Sequence, residues 1–232
     1  MSAVAADEAP RPNCIDEWGF ALVDPTGAIG LVTGHRLNRG SGHVGYWWCL
    51  VRGDAPLLHV VDWEVPARDQ FGLAKGEQLW AEIICEDPLS QWTIGNETVA
   101  VALDNPEDAT GRAHGDPTPV ACDLEWYSAG QQPLGIDSGF VQDGVVHGVI
   151  EVAQHPPIAV EEWSCSRWRR WWPTTLVPGW AADPPPLSTV TAHTGRRAPV
   201  VGADGSVVDF VLVPSGWALR RRFSADDALR RR

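Results

Sequence analysis

The apolar runs of this chain are short and keep a two-residue rhythm, and no other feature restricts its fold as much. Residues 57–65 read LLHVVDWEV. Extended, they put Leu58, Val60, Asp62 and Glu64 on one face and His59, Val61, Trp63 and Val65 on the other, the period-2 pattern of a strand. Runs of this kind, rich in Val, Ile and Trp, recur along the chain, with 23 Gly and 19 Pro between them, so helices have little room. Strands are expected at 19–23, 30–37, 44–51, 57–64, 78–85, 91–94, 97–103, 120–127, 145–152, 158–163, 207–213 and 217–222. DPTG (24–27), DNPED (104–108) and ADGS (203–206) read as turns. QDG (142–144) reads as an Asp-Gly hairpin. RGSGH (39–43) reads as a loop. Helix is expected at 224–231 and within 106–109, and WAADPPP (180–186) as an extended connector. Many short strands at close spacing imply an all-β barrel or sandwich.

Composition then narrows the function. With 44% apolar residues over 232 positions and a net charge of −12, the chain can bury a sizeable core and should be repelled by a phosphate backbone, so no nucleic-acid partner is expected. The charge is uneven. Residues 1–159 hold 23 acids and 7 bases, and residues 160–232 hold 7 acids and 11 bases. The basic end reads either as a solvated surface or as a face that docks an acidic protein partner. Exposed strand edges leave a homodimer open. Five scattered cysteines form no disulfide framework or CxxC pair, and Cys49 and Cys85 read as small core hydrophobes. The first residues lack a signal-peptide pattern and no window reaches membrane-span length, so a cytoplasmic protein is expected.

The strand faces carry the candidate chemistry. Asp62 and Glu64 share a face of one run, and Glu82 alternates with apolar residues in LWAEIICEDP. Such carboxylates either point into a pocket, where burial raises their pKa and makes them general acids, or form a solvated sheet face. Asp62, Glu64 and Glu82 are the candidate catalytic residues. Seven histidines are scattered without HxH or HExxH spacing, so no metal site is expected. There is no GxSxG elbow. Arg167 near Cys165 is the one feature that would favour a thiolate. Most of the thirteen tryptophans are expected in the core, but ring area beyond what a core needs often lines a concave pocket, and Tyr46, Trp48, Trp63, Trp80, Trp92, Trp163 and Trp168 are the candidate lining of an apolar ligand pocket.

Three stretches, WGFALVDPTGAIG, GYWWCLVRGDAPLLHVVDWEVP and LWAEIICEDPLSQWTIGNETVAVALDNP, resemble an actinobacterial branch related to the hydroxyneurosporene synthase (carotenoid 1,2-hydratase) superfamily. The resemblance covers residues 16–172 and is most specific over 46–106. It implies two lipocalin-like antiparallel β-barrel or sandwich modules in tandem, the second abbreviated. The corresponding division is a disordered segment at 1–15, a first module at 16–118, a second at 119–223 and a basic tail or short helix at 224–232. It also implies a large apolar substrate and no cofactor. When Trp171 and Trp172 are set on the family's tryptophan pair, Ser164 and Ser166 stand where the catalytic His-x-Trp motif belongs. Trp63 and Ile83 stand where the group often has histidine. Loss of a positioned proton donor lowers a rate by about 100- to 10,000-fold. The leading expectation is therefore a cofactor-independent cyclase, or a hydratase- or dehydratase-type lyase, acting on an isoprenoid or polyketide-like molecule. A non-catalytic carrier of a hydrophobic metabolite and a structural subunit docking through its Arg/Trp-rich half are the alternatives.

The densest stretch is EEWSCSRWRRWWP (161–173), with four tryptophans and three arginines. It reads as a strand and turn whose indoles cover a barrel mouth or seal a seam. Its arginines are expected to lay their stems on the indoles and keep their guanidiniums in water.

Overall fold

A computed structural model describes residues 8–53, 55–111, 113–136, 138–174, 196–202, 207–213 and 216–223. The expected connector at 180–186, the ADGS turn and the helix at 224–231 lie outside these residues. The fold is all-β. The strands are β1 (Cys14–Val23), β2 (Ile29–Asn38), β3 (His43–Arg52), β4 (Leu57–Pro66), β5 (Leu73–Lys75), β6 (Leu79–Asp87) and β7 (Gln91–Leu103). They continue with β8 (Asp116–Ser128), β9 (Leu134–Ile136), β10 (Gly139–Val152), β11 (Ile158–Pro173), β12 (Arg196–Val201), β13 (Val207–Val213) and β14 (Gly216–Phe223). A 3₁₀ turn, Pro106–Thr110, falls where a short helix was expected, and the Asn105 side chain caps it by accepting from the Glu107 amide.

Antiparallel neighbours run β4-β3-β2-β1-β11-β10-β8-β7-β6-β5, with β9 on β10. β4 also pairs with β7 through Leu57–Leu103, Leu58–Ala102 and His59–Val101, so the sheet curls into a partly closed ring. Beyond His59 the two strands part, and β6 takes the edge of β7 from Thr98 to Gln91. The first and last strands of the ring are neighbours, since β1 pairs with β11 from Cys14–Pro173 to Val23–Ser164. Residues 118 and 119, the expected module boundary, lie inside β8, and strands from both sides of them belong to one sheet.

A second sheet, β12-β13-β14, packs on the outside of the ring. Ala198, Val200, Phe210, Leu212 and Trp217 bury themselves against Ala21, Val32, Trp47, Cys49, Val51 and Trp168, and the Trp217 indole donates to the Leu22 carbonyl at 2.8 Å. β1, β2 and β3 are therefore buried on both faces. This explains the run YWWCLV. Tyr46, Trp48 and Leu50 fill the ring, while Trp47, Cys49 and Val51 fill the layer outside it. Indoles on the outer face need flat ground beside them. A Cβ on Gly19 would come within 2.1 Å of the Trp168 ring, and one on Gly34 within 2.2 Å of the Trp47 ring.

Three expectations change. QDG lies inside β10, where Gln142, Asp143 and Gly144 pair with Arg167, Ser166 and Cys165. Gly144 makes room for the Trp126 indole, 2.4 Å from where its Cβ would be, and no turn forms. In β4 a bulge opposite Gly45 shifts the alternation, so that Val65 joins Leu58 and Val60 in the interior. Residues 164–173 continue β11 as strand, after a bulge marked by Glu162 at φ 53°.

Candidate functional site

β11 brings the basic stretch to the centre of the molecule. Past its bulge, Trp163, Cys165, Arg167 and Arg169 face the ring interior. Arg167, Arg169 and Arg170 are all buried, so their guanidiniums do not reach water as expected. Charge pairing is the reason. Arg167 meets the Glu8 carboxylate through Nη1–Oε2 at 3.1 Å and Nη2–Oε1 at 2.7 Å. Arg169 donates to Asp16 at 2.5 Å and to the Ala9 carbonyl at 3.0 Å. On the outer face Arg36 binds Glu17 at 2.6 Å, and the Trp168 indole donates to the same carboxylate at 2.9 Å. Burial pushes the Glu17 carboxyl up, but Arg36 and Arg170 outweigh it and leave the group below the usual carboxylate range. For Asp16 burial wins over Arg169, and its pKa lies above the usual value. The arginines also stack on rings: Arg167 lies 5.2 Å from the Trp92 centre and 5.0 Å from that of Trp126, and Arg169 lies 4.1 Å from Trp18. Cys165 is buried beside them. Burial raises its pKa despite Arg167, so the expected thiolate is not favoured.

Deeper in the ring lies a polar row of Thr33, His35, Tyr46 and Asn96, all buried. His35 packs edge-on against Tyr46 with centres 5.3 Å apart, and burial pushes its pKa down to about 3. Burial raises the Tyr46 hydroxyl well above its usual value; Thr33 and Asn96 lie near it, yet it completes no hydrogen bond, nor do the Asn96 amide or the Trp48, Trp92 and Trp126 indole nitrogens. A cavity of about 60 Å³ between Trp18, His35, Leu37, Val44 and Phe71 has room for about two waters.

A wide opening follows from the parting of β4 and β7. There a groove of about 960 Å³ is lined by Val60, Val61, Leu79, Val99 and Val101 together with His59, Asp62, Trp63, Glu64 and Glu77. Asp62 and Glu64 are exposed, and Asp62 accepts from the Glu64 amide at 2.9 Å. The Trp63 indole donates to the Val201 carbonyl at 2.7 Å. His59 is buried and bonds the Pro199 carbonyl, and burial pushes its pKa down to about 4. Its Nε2 has no partner. A neutral imidazole whose N–H is already engaged presents that nitrogen as an acceptor.

The structure thus divides the sequence candidates among four places. Asp62, Glu64 and Trp63 meet in the groove. Tyr46, Trp48, Trp92 and Trp163 sit inside the packed ring. Trp168 belongs to the outer core, stacked on Phe210. Trp80 and Glu82 lie together in a separate groove of about 310 Å³ on the outer face of β6 and β7, where Gln70 donates to Glu82. His59, His35, Asn96 and Glu8 were not singled out in the sequence. His59 was legible only as a strand residue on the other face from Asp62, and nothing local marks Glu8 as the partner of an arginine 159 residues away. Among the described residues, no three His, Cys, Asp or Glu side chains converge as metal ligands, and no helix is long and apolar enough to cross a membrane. No family model, no curated protein and no solved structure matches this chain.

Proposed function

We propose that the protein is a binding protein for a small amphipathic molecule, held in the groove where β4 leaves β7. The polar lining sets the Asp62, Glu64 and Glu77 carboxylates against a single arginine, Arg36, whose charge is already paired with Glu17. Val60, Val61, Leu79, Val99 and Val101 supply an apolar wall beside them. The complement of such a surface is a ligand with an apolar body and a donor-rich head, above all a protonated amine. The groove volume lies within the range of small-molecule sites. The observation that carries this reading is the gathering of three carboxylates beside an apolar wall in one open groove, with the buried His59 ring, whose Nε2 lacks a partner, in the same lining.

Binding is favoured over catalysis because a cyclase acting through a general acid needs a carboxylate in a dry hollow. Asp62 and Glu64 are solvent-exposed, Glu82 is half-buried on the outer face, and the ring interior is filled by side chains. The test is a titration with octylamine, followed by the Trp63 indole N–H resonance, with octanol as the uncharged control. Octylamine is expected to shift the resonance at lower concentration than octanol, and Asp62→Asn and Glu64→Gln are each expected to weaken binding at least about threefold, a change of ~0.7 kcal/mol. Equal response to both compounds, or indifference to both substitutions, overturns the proposal.

A further inference from the structure

Arg167 sits in a pocket whose walls all belong to the ring, yet its partner comes from outside it. The guanidinium lies over Trp92, Trp126 and Phe140 at 5.2, 5.0 and 5.2 Å from their centres. Its Nη2 also donates to the Gln142 side-chain oxygen at 3.0 Å. Gln142 is itself fixed, its amide nitrogen donating to the Leu89 carbonyl at 2.8 Å and to the Ser128 hydroxyl at 2.9 Å. Nε of Arg167 is buried and has no acceptor. Into this pocket Glu8 places a carboxylate in the two-pronged geometry that a guanidinium prefers.

Glu8 belongs to no strand. Among the described residues, the first backbone hydrogen bond tying the N-terminal segment to the ring is from Thr174 N–H to the Asn13 carbonyl. Residues 8–12 are held through side chains instead: Glu8 on Arg167, Arg169 on the Ala9 carbonyl, the Asp16 carboxylate on the Arg11 amide, and Arg11 over the Trp171 ring at 3.9 Å. A rigid cationic pocket is thus filled by a single carboxylate on a segment without backbone pairing.

We infer that the pocket formed by Arg167, Gln142, Trp92, Trp126 and Phe140 is a carboxylate-binding site that Glu8 occupies in cis, and that it takes a compact aromatic or alkyl monocarboxylate when the segment lifts away. Exchange of one carboxylate for another keeps the buried guanidinium paired, whereas a neutral ligand would leave it bare. The rings then accept the apolar body that Glu8 lacks. A tethered competitor acts at an effective concentration in about the millimolar range, so free acids compete weakly with the intact chain and well once Glu8 is gone. This site is separate from the seam groove and takes a ligand of opposite charge.

The test is chemical rescue of thermal stability in the full chain. Glu8→Ala is expected to melt several degrees below the parent, and about 10 mM sodium benzoate, now without a tethered competitor, is expected to recover at least half of the loss. Equal concentrations of sodium chloride and of benzamide, the neutral counterpart, are expected to recover none of it. Glu8→Gln keeps the shape of the side chain and carries the same readout should the alanine variant not fold. Quenching of tryptophan fluorescence by benzoate in these variants, and its loss in Glu8→Gln/Arg167→Met, locates the acid at this pocket. Rescue by benzoate no greater than by chloride or benzamide, or rescue undiminished in the Arg167→Met background, overturns the inference.

Discussion

Asp16 and Arg169 are both wholly buried and 2.5 Å apart, and breaking such a pair leaves a bare charge in the interior. Asp16→Ala is expected to lower unfolding free energy by about 3–5 kcal/mol, while the double replacement Asp16→Leu/Arg169→Met is expected to recover most of that loss; denaturant unfolding of the two variants checks both. The buried histidines produce a pH dependence. His35 has Tyr46 against its ring, and Arg39, Arg68 and Asp69 line the small cavity beside it; His59 shares its groove lining with Asp62 and Glu64. Their folded values of about 3 and about 4 lie below the unfolded value of about 6.5, so the unfolded chain takes up protons first as pH falls. Their contribution is complete above about pH 6.5 and is lost on acidification toward the folded values, at up to ~1.4 kcal/mol per pH unit for each histidine. Melting temperature is expected to fall between pH 6.5 and 4.5, above the window in which Glu17 titrates, and His35→Gln/His59→Gln is expected to flatten that slope.

Strand identity follows from alternation, and for most elements the sequence was enough. β2, β3, β4, β6 and β13 appear within a residue or two of their expected ranges. Bulges and doubly buried strands were harder to see, because they break the rhythm on which the reading depends. A bulge changes which face a side chain takes, as at Val65, and a strand covered on both sides loses its polar face, as in β3. The same double burial makes the glycines of β1 and β2 structural. Gly34→Ala puts a methyl group into the rigid Trp47 ring and is expected to cost about 1–3 kcal/mol by overpacking, measured by denaturant unfolding. At the seam, β4 is paired with β7 for three residues and then faces the groove. Amides of β4 beyond His59 that point toward the groove are expected to exchange hydrogen faster than those of β3, which is paired on both edges.

At the scale of the molecule, the ring and the outer sheet share a core. Trp217 bonds the Leu22 carbonyl, Trp63 bonds the Val201 carbonyl, and Phe210 stacks on Trp168 with centres 5.7 Å apart. Loss of the outer sheet would expose Trp47, Cys49 and Trp168, so the two sheets are expected to unfold together. Far-ultraviolet circular dichroism and tryptophan fluorescence should give coincident transitions; separate midpoints would mean that the sheets are independent. By itself the amino-acid sequence determined an all-β antiparallel architecture, most of its strand positions and a chain built around indoles. These follow from periodicity and turn chemistry, which act over a few residues. The tertiary structure alone decided that Arg167 and Arg169 are buried against Glu8 and Asp16, that Asp62, Glu64 and His59 meet at a seam, and that Tyr46 and Trp48 fill the ring. Each depends on which strands become neighbours, and that is set by closing the sheet between residues as far apart as Cys14 and Pro173, a pairing that no local pattern encodes.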